Sequence, residues 1–328
     1  MSPPSIGVLL PTRNCAAKLA GHLEAMRGWL DLAGEVVVVD SFSEDGTLEL
    51  VRSRLAHPRL KILSHPPGLY ASWNHGLAAM QSDFAYIATV GDAITREGLL
   101  HLAEVLERLS ADVVLSRPEF ITASGRPVPG KKWTIHRYLE AQSFRQPVHI
   151  PPAHFFLTSV MFGMAGFLGS SASNLYRTRA LQQFPFSTEF GHVGDTAWGV
   201  AHAFNARVAL TPQACAQFQI HPNLGEVSPV VAGATEQKLL QLARASLDES
   251  VLAGTLSPED AKALLEMTDR FEALRKELHA AESEYDRQRQ SIVPCLLHPW
   301  GWAARRARNQ RRAALTNLWR DSMARFPR

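Results

Sequence analysis

The stretch VVVVDSFSEDGT at residues 36–47 opens with four consecutive valines and closes with a polar, glycine-containing loop. A run of valines has no polar face, so both sides of that strand must be buried. This is the mark of a strand inside a parallel sheet that carries helices on both faces. The run stops at Asp40, and the Ser/Glu/Asp/Gly loop that follows opens a helix-period segment. In open α/β sheets, ligands bind outside the carboxyl ends of the strands, which makes Asp40 a candidate binding residue. A carboxylate there accepts strong hydrogen bonds from a nucleobase N–H or from ribose hydroxyls. Asp40 and Asp45 serve equally well as caps of the next helix, and spacing alone does not separate the two roles.

The pattern on either side agrees with this reading. Short apolar runs bounded by polar residues predict strands at 6–10, 35–39, 61–63, 85–88 and 112–115. Between them, Leu19, Leu23, Met26 and Leu30 share a helical face, as do Leu48, Val51 and Leu55, and then Leu99, Leu102, Leu106 and Leu109. Alternating strands and helices predict an α/β fold, Rossmann-like, with a mostly parallel central sheet flanked by helices. The first strand runs into Pro11, Thr12, Arg13 and Asn14, so it too presents polar groups at its carboxyl end. Neither GxGxxG nor GxxxxGK[ST] occurs, which removes the phosphate cradles of dinucleotide-binding and P-loop proteins.

Composition bounds the remaining possibilities. The 328 residues are 46% hydrophobic and 20% charged, as in an ordinary globular enzyme and unlike a disordered chain. Cys15, Cys215 and Cys295 are odd in number and far apart, which suggests neither a disulfide framework nor a cysteine zinc site and favours a reducing, cytoplasmic setting. The opening MSPPSIGVLLPT lacks the basic flank and cleavage site of a signal peptide, and no apolar run reaches membrane-spanning length. The net charge of +3 hides an asymmetry: residues 231–290 carry 12 acidic and 8 basic side chains, whereas residues 301–328 carry 8 Arg against Asp321.

We therefore divide the chain into 1–116, 117–230, 231–292 and 293–328. The second part begins with proline- and glycine-punctuated loops and continues through GSSASNLYRTRAL (169–181) and FGHVGDTAWGVAHAF (190–204), whose elements are expected to extend the first sheet. The third is a helical extension with a Ser257-Pro258 start signal. The fourth, with Trp300, Trp302, Leu315, Leu318, Trp319 and Met323 among arginines, reads as a basic amphipathic helix. A helix of that kind suits a peripheral membrane or partner-protein contact through residues 300–325. No nucleic-acid-binding motif accompanies it.

LLPTRN (9–14), VVVVDSFSEDGT and GLYASWNHGLAAMQSDFAYIATVGD (68–92), in this order and spacing, resemble the nucleotide-binding half of family-2 glycosyltransferases over about residues 5–115. The resemblance implies a GT-A fold and a nucleotide-sugar donor. By that resemblance Pro11, Thr12, Arg13 and Asn14 line the base, Asp40 holds base or ribose, and Asp45 supports the loop. Trp73, Asn74 and Gly76 are implied to sit against the sugar-nucleotide, although Asn74 also fits a helix cap. The family's Asp-x-Asp-Asp strand end stands here as Thr89-Val90-Gly91-Asp92, so only one carboxylate remains. A divalent cation, Mg²⁺ or Mn²⁺, would then rest on Asp92, with His221 or His192 completing the site.

Asp195, glycine-flanked and at a helix start, resembles the family's late acidic motif. It would act as the base that deprotonates the acceptor hydroxyl in an inverting transfer. The competing role is a helix N-cap. Ser171 and Arg177, in the small-residue stretch, would line the sugar and diphosphate, or else belong to a close-packed turn. The implied activity is transfer of a sugar to a saccharide or lipid-linked acceptor of the cell envelope. The alternative is a sugar-nucleotide-binding or scaffolding protein that has lost catalysis, motivated by Thr89 and Gly91 standing in place of carboxylates. A nucleotidyltransferase would need a glycine-rich basic loop after the first strand, and that loop is absent.

Overall fold

The computed structural model describes residues 4–162, 167–220, 229–289 and 299–326. Its strands are β1 (Ile6–Thr12), β2 (Ala33–Asp40), β3 (Leu60–Ser64), β4 (Phe84–Ile87), β5 (Ala93–Ile94), β6 (Val113–Ile121), β7 (Val148–His149), β8 (Asn174–Arg177) and β9 (Val208–Gln219). They form one sheet in the order β3-β2-β1-β4-β8-β6-β9-β5, with β7 on β9. The half built from β3, β2, β1 and β4 is parallel throughout. Beyond β4 the sheet is mixed, because β8 runs antiparallel to both β4 and β6. The expected parallel sheet holds throughout the first half, and the second half adds short antiparallel pairs beside the long parallel β6–β9 ladder. The division expected at residue 116 falls inside β6, whose pairing with β9 continues from Val113 to Ile121.

Helices α1 (Ala16–Met26), α2 (Thr47–Arg54) and α4 (Arg96–Arg108) cover one face. Their Leu19, Leu23, Val51, Leu99 and Leu102 pack with Val36 and Val38 of β2. The opposite face holds Val37 and Val39 with α3 (Leu69–Ala78) and α6 (Pro152–Phe162). Alternate valines thus serve two cores, as the two-residue period of a strand requires. Gly76 lets α3 lie directly on the sheet, since a Cβ there would collide with Leu9 and come within 2.7 Å of Val39. Shorter elements, α5 (Thr134–Gln142), α7 (Thr178–Gln183) and α8 (Gly194–His202), flank the second half.

The C-terminal helices α9 (Pro229–Leu252), α10 (Pro258–Arg289) and α11 (Pro299–Arg325) join this second core. Leu264, Met267, Phe271, Leu318, Trp319 and Met323 are buried in one cluster with Phe155, Phe156 and Leu157 of α6. The Trp319 indole donates to the Thr158 hydroxyl at 3.0 Å, sealing α11 onto α6. Leu318, Trp319 and Met323 of α11, expected to face a membrane or partner, are therefore packed inside the molecule. Part of its basic face meets the acidic α10, through Arg312–Glu282 at 2.6 Å and Arg308 over the Tyr285 ring at 4.0 Å. Exposed pairs of this kind contribute little each, so the buried apolar contacts carry the docking and the charges select the pairing. Among the described residues, no helix is long and apolar enough to cross a membrane.

At the amino edge of the sheet, Glu35 is fully buried. One carboxylate oxygen accepts the Gln81 and Ser82 amides at 2.6 Å each and the Ser82 hydroxyl at 2.8 Å, while the other meets Lys61 Nζ at 3.0 Å. Burial alone would raise its pKa, but these donors outweigh burial and hold it below the ordinary value. The contribution is full above the usual glutamate range and is lost as pH falls through the depressed pKa. Replacing one partner of a buried, hydrogen-bonded charge strands the others. Glu35→Ala is expected to cost about 3 kcal/mol, read as a lower urea midpoint at neutral pH, with the gap to wild type narrowing in acid.

Candidate active site

The carboxyl edge of the parallel half brings the first two loops into contact. Register pairs Thr12 with Asp40, and the Thr12 hydroxyl donates to Asp40 at 2.9 Å. The Ser43 hydroxyl donates to the same carboxylate at 2.6 Å and the Ser43 amide at 2.9 Å. Asp40 is thus buried and organises the loop that begins after it. The Asn14 amide donates to the Ser43 hydroxyl at 2.9 Å, and the Asn14 side-chain oxygen accepts the Glu44 amide at 3.0 Å. Asp45 reaches across to accept the Ala16 amide at 3.0 Å, satisfying an orphan donor at the start of α1, and it also accepts from Thr47. Pro11 is half-buried in this rim, while Arg13 and Asn14 are exposed.

Further along the same edge, a cleft of about 390 Å³ is bounded by Tyr70 and Trp73 of α3, Thr89 and Asp92 after β4, residues 168–171, and His192 to Asp195. Trp133 and Phe218 close one side, with ring centroids 4.6 Å apart. Gly91, at φ 105°, makes the tight turn after β4 that brings Asp92 into place. Asp92 accepts the Ser170 hydroxyl at 3.0 Å on one oxygen and the Gln219 amide at 3.1 Å on the other. Burial pushes its pKa up to about 7 against those two hydrogen bonds. The Thr89 and Ser171 hydroxyls lie 3.0 Å apart beside it.

Asp195 sits in the first turn of α8, whose N-cap position is Val193, so it does not cap that helix. Its carboxylate accepts the Thr196 amide at 2.6 Å and a hydrogen bond from the Tyr70 hydroxyl. The Tyr70 hydroxyl lies beside this carboxylate and also donates to the His192 carbonyl at 3.1 Å. Burial pushes the Asp195 pKa up to about 6, with the Thr196 amide and Tyr70 opposing. The side chain still opens onto the cleft, so a substrate atom has access to it. Gly194 makes the approach possible, because a Cβ there would come within 2.5 Å of the Tyr70 ring.

Three expected site residues stand elsewhere. Gly76 packs beneath α3 against Leu9 and Val39 instead of lining the cleft. Asn74 is in mid-helix and does not cap it; its amide donates to the Phe186 carbonyl at 2.8 Å and its oxygen accepts the Phe186 amide at 3.0 Å. Arg177 lies at the opposite edge of the sheet, paired with Phe84 at the start of β4, and donates to the Ala111 carbonyl at 3.2 Å. It is there because β8 is antiparallel, so its last residue is level with the first residue of β4.

Trp73 lines the cleft yet is nearly buried in an aromatic cluster with Tyr70 and Phe186. Tyr70, Trp133, Ser170 and Phe218 escaped sequence reasoning. Tyr70, inside the quoted GLYASWNHG segment, and Ser170, inside GSSASNLYRTRAL, each carried a usable signal.

His221 lies outside the described residues. Among the described residues no three metal-binding side chains come together. Asp92, whose two oxygens accept from the Ser170 hydroxyl and the Gln219 amide, and His192 both line the cleft, and they are the expected metal ligands that the described residues contain.

Comparison with known proteins agrees with the architecture. Solved structures similar to this chain include S. aureus TarS 1–349 in complex with UDP (18% identity, TM-score 0.58, covering 97% of this chain and 91% of that one). The same protein in complex with UDP-GlcNAc matches with 18% identity and TM-score 0.57, over 97% and 92% of the two chains. A longer S. aureus TarS structure matches with 18% identity and TM-score 0.56, over 95% of this chain and 54% of that one. No curated protein matches the sequence. The mixed sheet and its flanking helices share the GT-A fold of these structures. Residues 7–163 match the family described as Glycosyl transferase family 2, so this part of the chain carries a family-2 glycosyltransferase domain.

Tyr70→Phe keeps the ring packing and removes the donor to Asp195. The Asp195 pKa is expected to rise above its wild-type position near 6, as followed by infrared titration of carboxyl absorption against Asp195→Asn as the blank.

Proposed function

We propose that this enzyme moves a sugar from a nucleoside-diphosphate sugar to a hydroxyl of a saccharide or lipid-linked saccharide, with inversion at the anomeric carbon, in cell-envelope polysaccharide synthesis. The observation that carries the reading is Asp195, a cleft-facing carboxyl with a raised pKa, set against the wall that begins at Thr89 and Asp92. The S. aureus TarS structures in complex with UDP and with UDP-GlcNAc support a uridine nucleotide as the first donor to try.

In the proposed reaction the acceptor hydroxyl gives its proton to Asp195 as its oxygen attacks the anomeric carbon from the face opposite the diphosphate. The new carbon–oxygen bond forms as the bond to the diphosphate breaks, and the electron pair leaves with the nucleoside diphosphate. The Asp40 loop takes the nucleoside end, and the Thr89 and Ser171 hydroxyls offer donors near the departing oxygens. The raised pKa of Asp195 suits a general base, since proton affinity rises with pKa while the group stays largely ionised at pH 7.

The test is release of nucleoside diphosphate and formation of product from a panel of nucleotide sugars, UDP-GlcNAc included, with saccharide acceptors. Asp195→Asn is expected to lower kcat by roughly 10²- to 10⁴-fold, the range for loss of a general base, while leaving UDP affinity within a few-fold. Because the base must be ionised, kcat/KM for wild type is expected to fall as pH drops through about 6, and Asp195→Asn should lose that limb. Nucleotide-sugar binding without transfer or hydrolysis under any of these conditions would instead identify a binding protein, the reading favoured by Thr89 and Gly91 standing where relatives carry carboxylates.

A further inference from the structure

Four non-glycine residues among those described have positive φ: Asn14 (44°), Phe42 (55°), Ser110 (48°) and Ser143 (52°). Ser110 and Ser143 follow the last turns of α4 and α5, where a left-handed residue is an ordinary helix stop. Asn14 belongs to a residue type that tolerates this region, since its short polar side chain bonds locally. Phe42 has neither reason. The turn around it is set by Ser43, whose amide and hydroxyl both donate to Asp40. Glycine would meet that backbone demand without strain.

The side chain adds a second cost. Phe42 is 57% exposed and joins neither hydrophobic core. No other aromatic ring among the described residues stacks on it. A residue that strains the backbone and leaves an aromatic ring in water contributes nothing to folding that glycine would not supply better. Strained residues of this kind concentrate at ligand sites.

Its location narrows the ligand. Phe42 lies two residues beyond Asp40, on the loop that interlocks with Asn14, at the ends of β2 and β1. The cleft with Asp92 and Asp195 begins at the end of β4, two strands from β2. Two strand spacings are about 10 Å, comparable to the separation of a base from its diphosphate. If the sugar and diphosphate occupy the cleft, the flat end of the donor reaches the Phe42 loop.

Resting on the nucleotide-sugar reading given above, we propose that Phe42 is a stacking platform for the nucleobase of the donor, beside the polar groups of Thr12 and Asp40. A π-face attracts any base, so Phe42 supplies affinity while the polar groups supply selectivity.

Titration calorimetry with UDP and GDP on wild type, Phe42→Gly and Phe42→Trp, together with melting temperatures of the free proteins, tests this. Phe42→Gly is expected to melt higher than wild type and to bind the preferred nucleotide roughly 5- to 100-fold more weakly, the range for loss of one stacked base; Phe42→Trp is expected to stay within a few-fold of wild type. Affinity within twofold of wild type for Phe42→Gly overturns the proposal and leaves the enzyme reading standing. Failure of the wild type to bind either nucleotide overturns the nucleotide-sugar reading and this proposal with it.

Discussion

Val36 to Val39 are buried on both faces of the sheet, and much of the structure follows from that constraint. A strand with no polar face needs a layer of helices on each side, and those layers are α1, α2 and α4 against α3 and α6. With both faces closed, the strand can present polar chemistry only where it ends. Asp40 is the first polar residue to emerge, and its register partner on β1 is Thr12. Their hydrogen bond, extended by Ser43 and Asn14, turns two loop ends into one rim. The burial that sets the fold thereby also sets where a ligand is met.

How much of this could be read from the sequence depends on whether the determinant is local. The parallel strands were legible because apolar runs are local, and so were the stripes of α1, α2 and α4. Asp40 was legible as the acid that ends an apolar run, and Asp195 as an acid beside a glycine at a helix start. Arg177 was not, because its place depends on β8 running antiparallel to β4, a pairing between residues some 90 positions apart in sequence that leaves no local trace. Asn74 and Gly76 look like site residues beside Trp73, yet a helix that approaches a sheet this closely needs a small residue beneath it, and the Phe186 backbone needs a partner. The α11 stripe of Leu318, Trp319 and Met323 posed a different ambiguity: an apolar helical face reads the same whether a bilayer or a protein core covers it.

The same limit explains the missed cleft residues. Trp133 and Phe218 come from a loop before α5 and from the end of β9, and only the fold brings their rings together. Ser170 was one position from a residue singled out by composition, but its use depends on Asp92 being within 3.0 Å.

Asp92 and Asp195 share one cleft and both have raised pKa values for the same first cause, burial, yet their surroundings divide their work. Asp92 accepts from Ser170 and Gln219, residues on two different walls, so its two oxygens tie those walls together. Protonating or removing it would disturb the shape of the cleft before any chemistry occurs. Asp195 is held from behind, by the amide of its own helix and by Tyr70, and it opens onto the cleft. An acid bonded to both walls is suited to fixing geometry; one braced from behind with an accessible face is suited to receiving a proton. The proposal that Asp195 is the base therefore rests on the placement of its partners as well as on its pKa. Tyr70 links Asp195 to the strands that end in the Thr12–Asp40 rim, because α3, which carries it, also packs against β1 and β2.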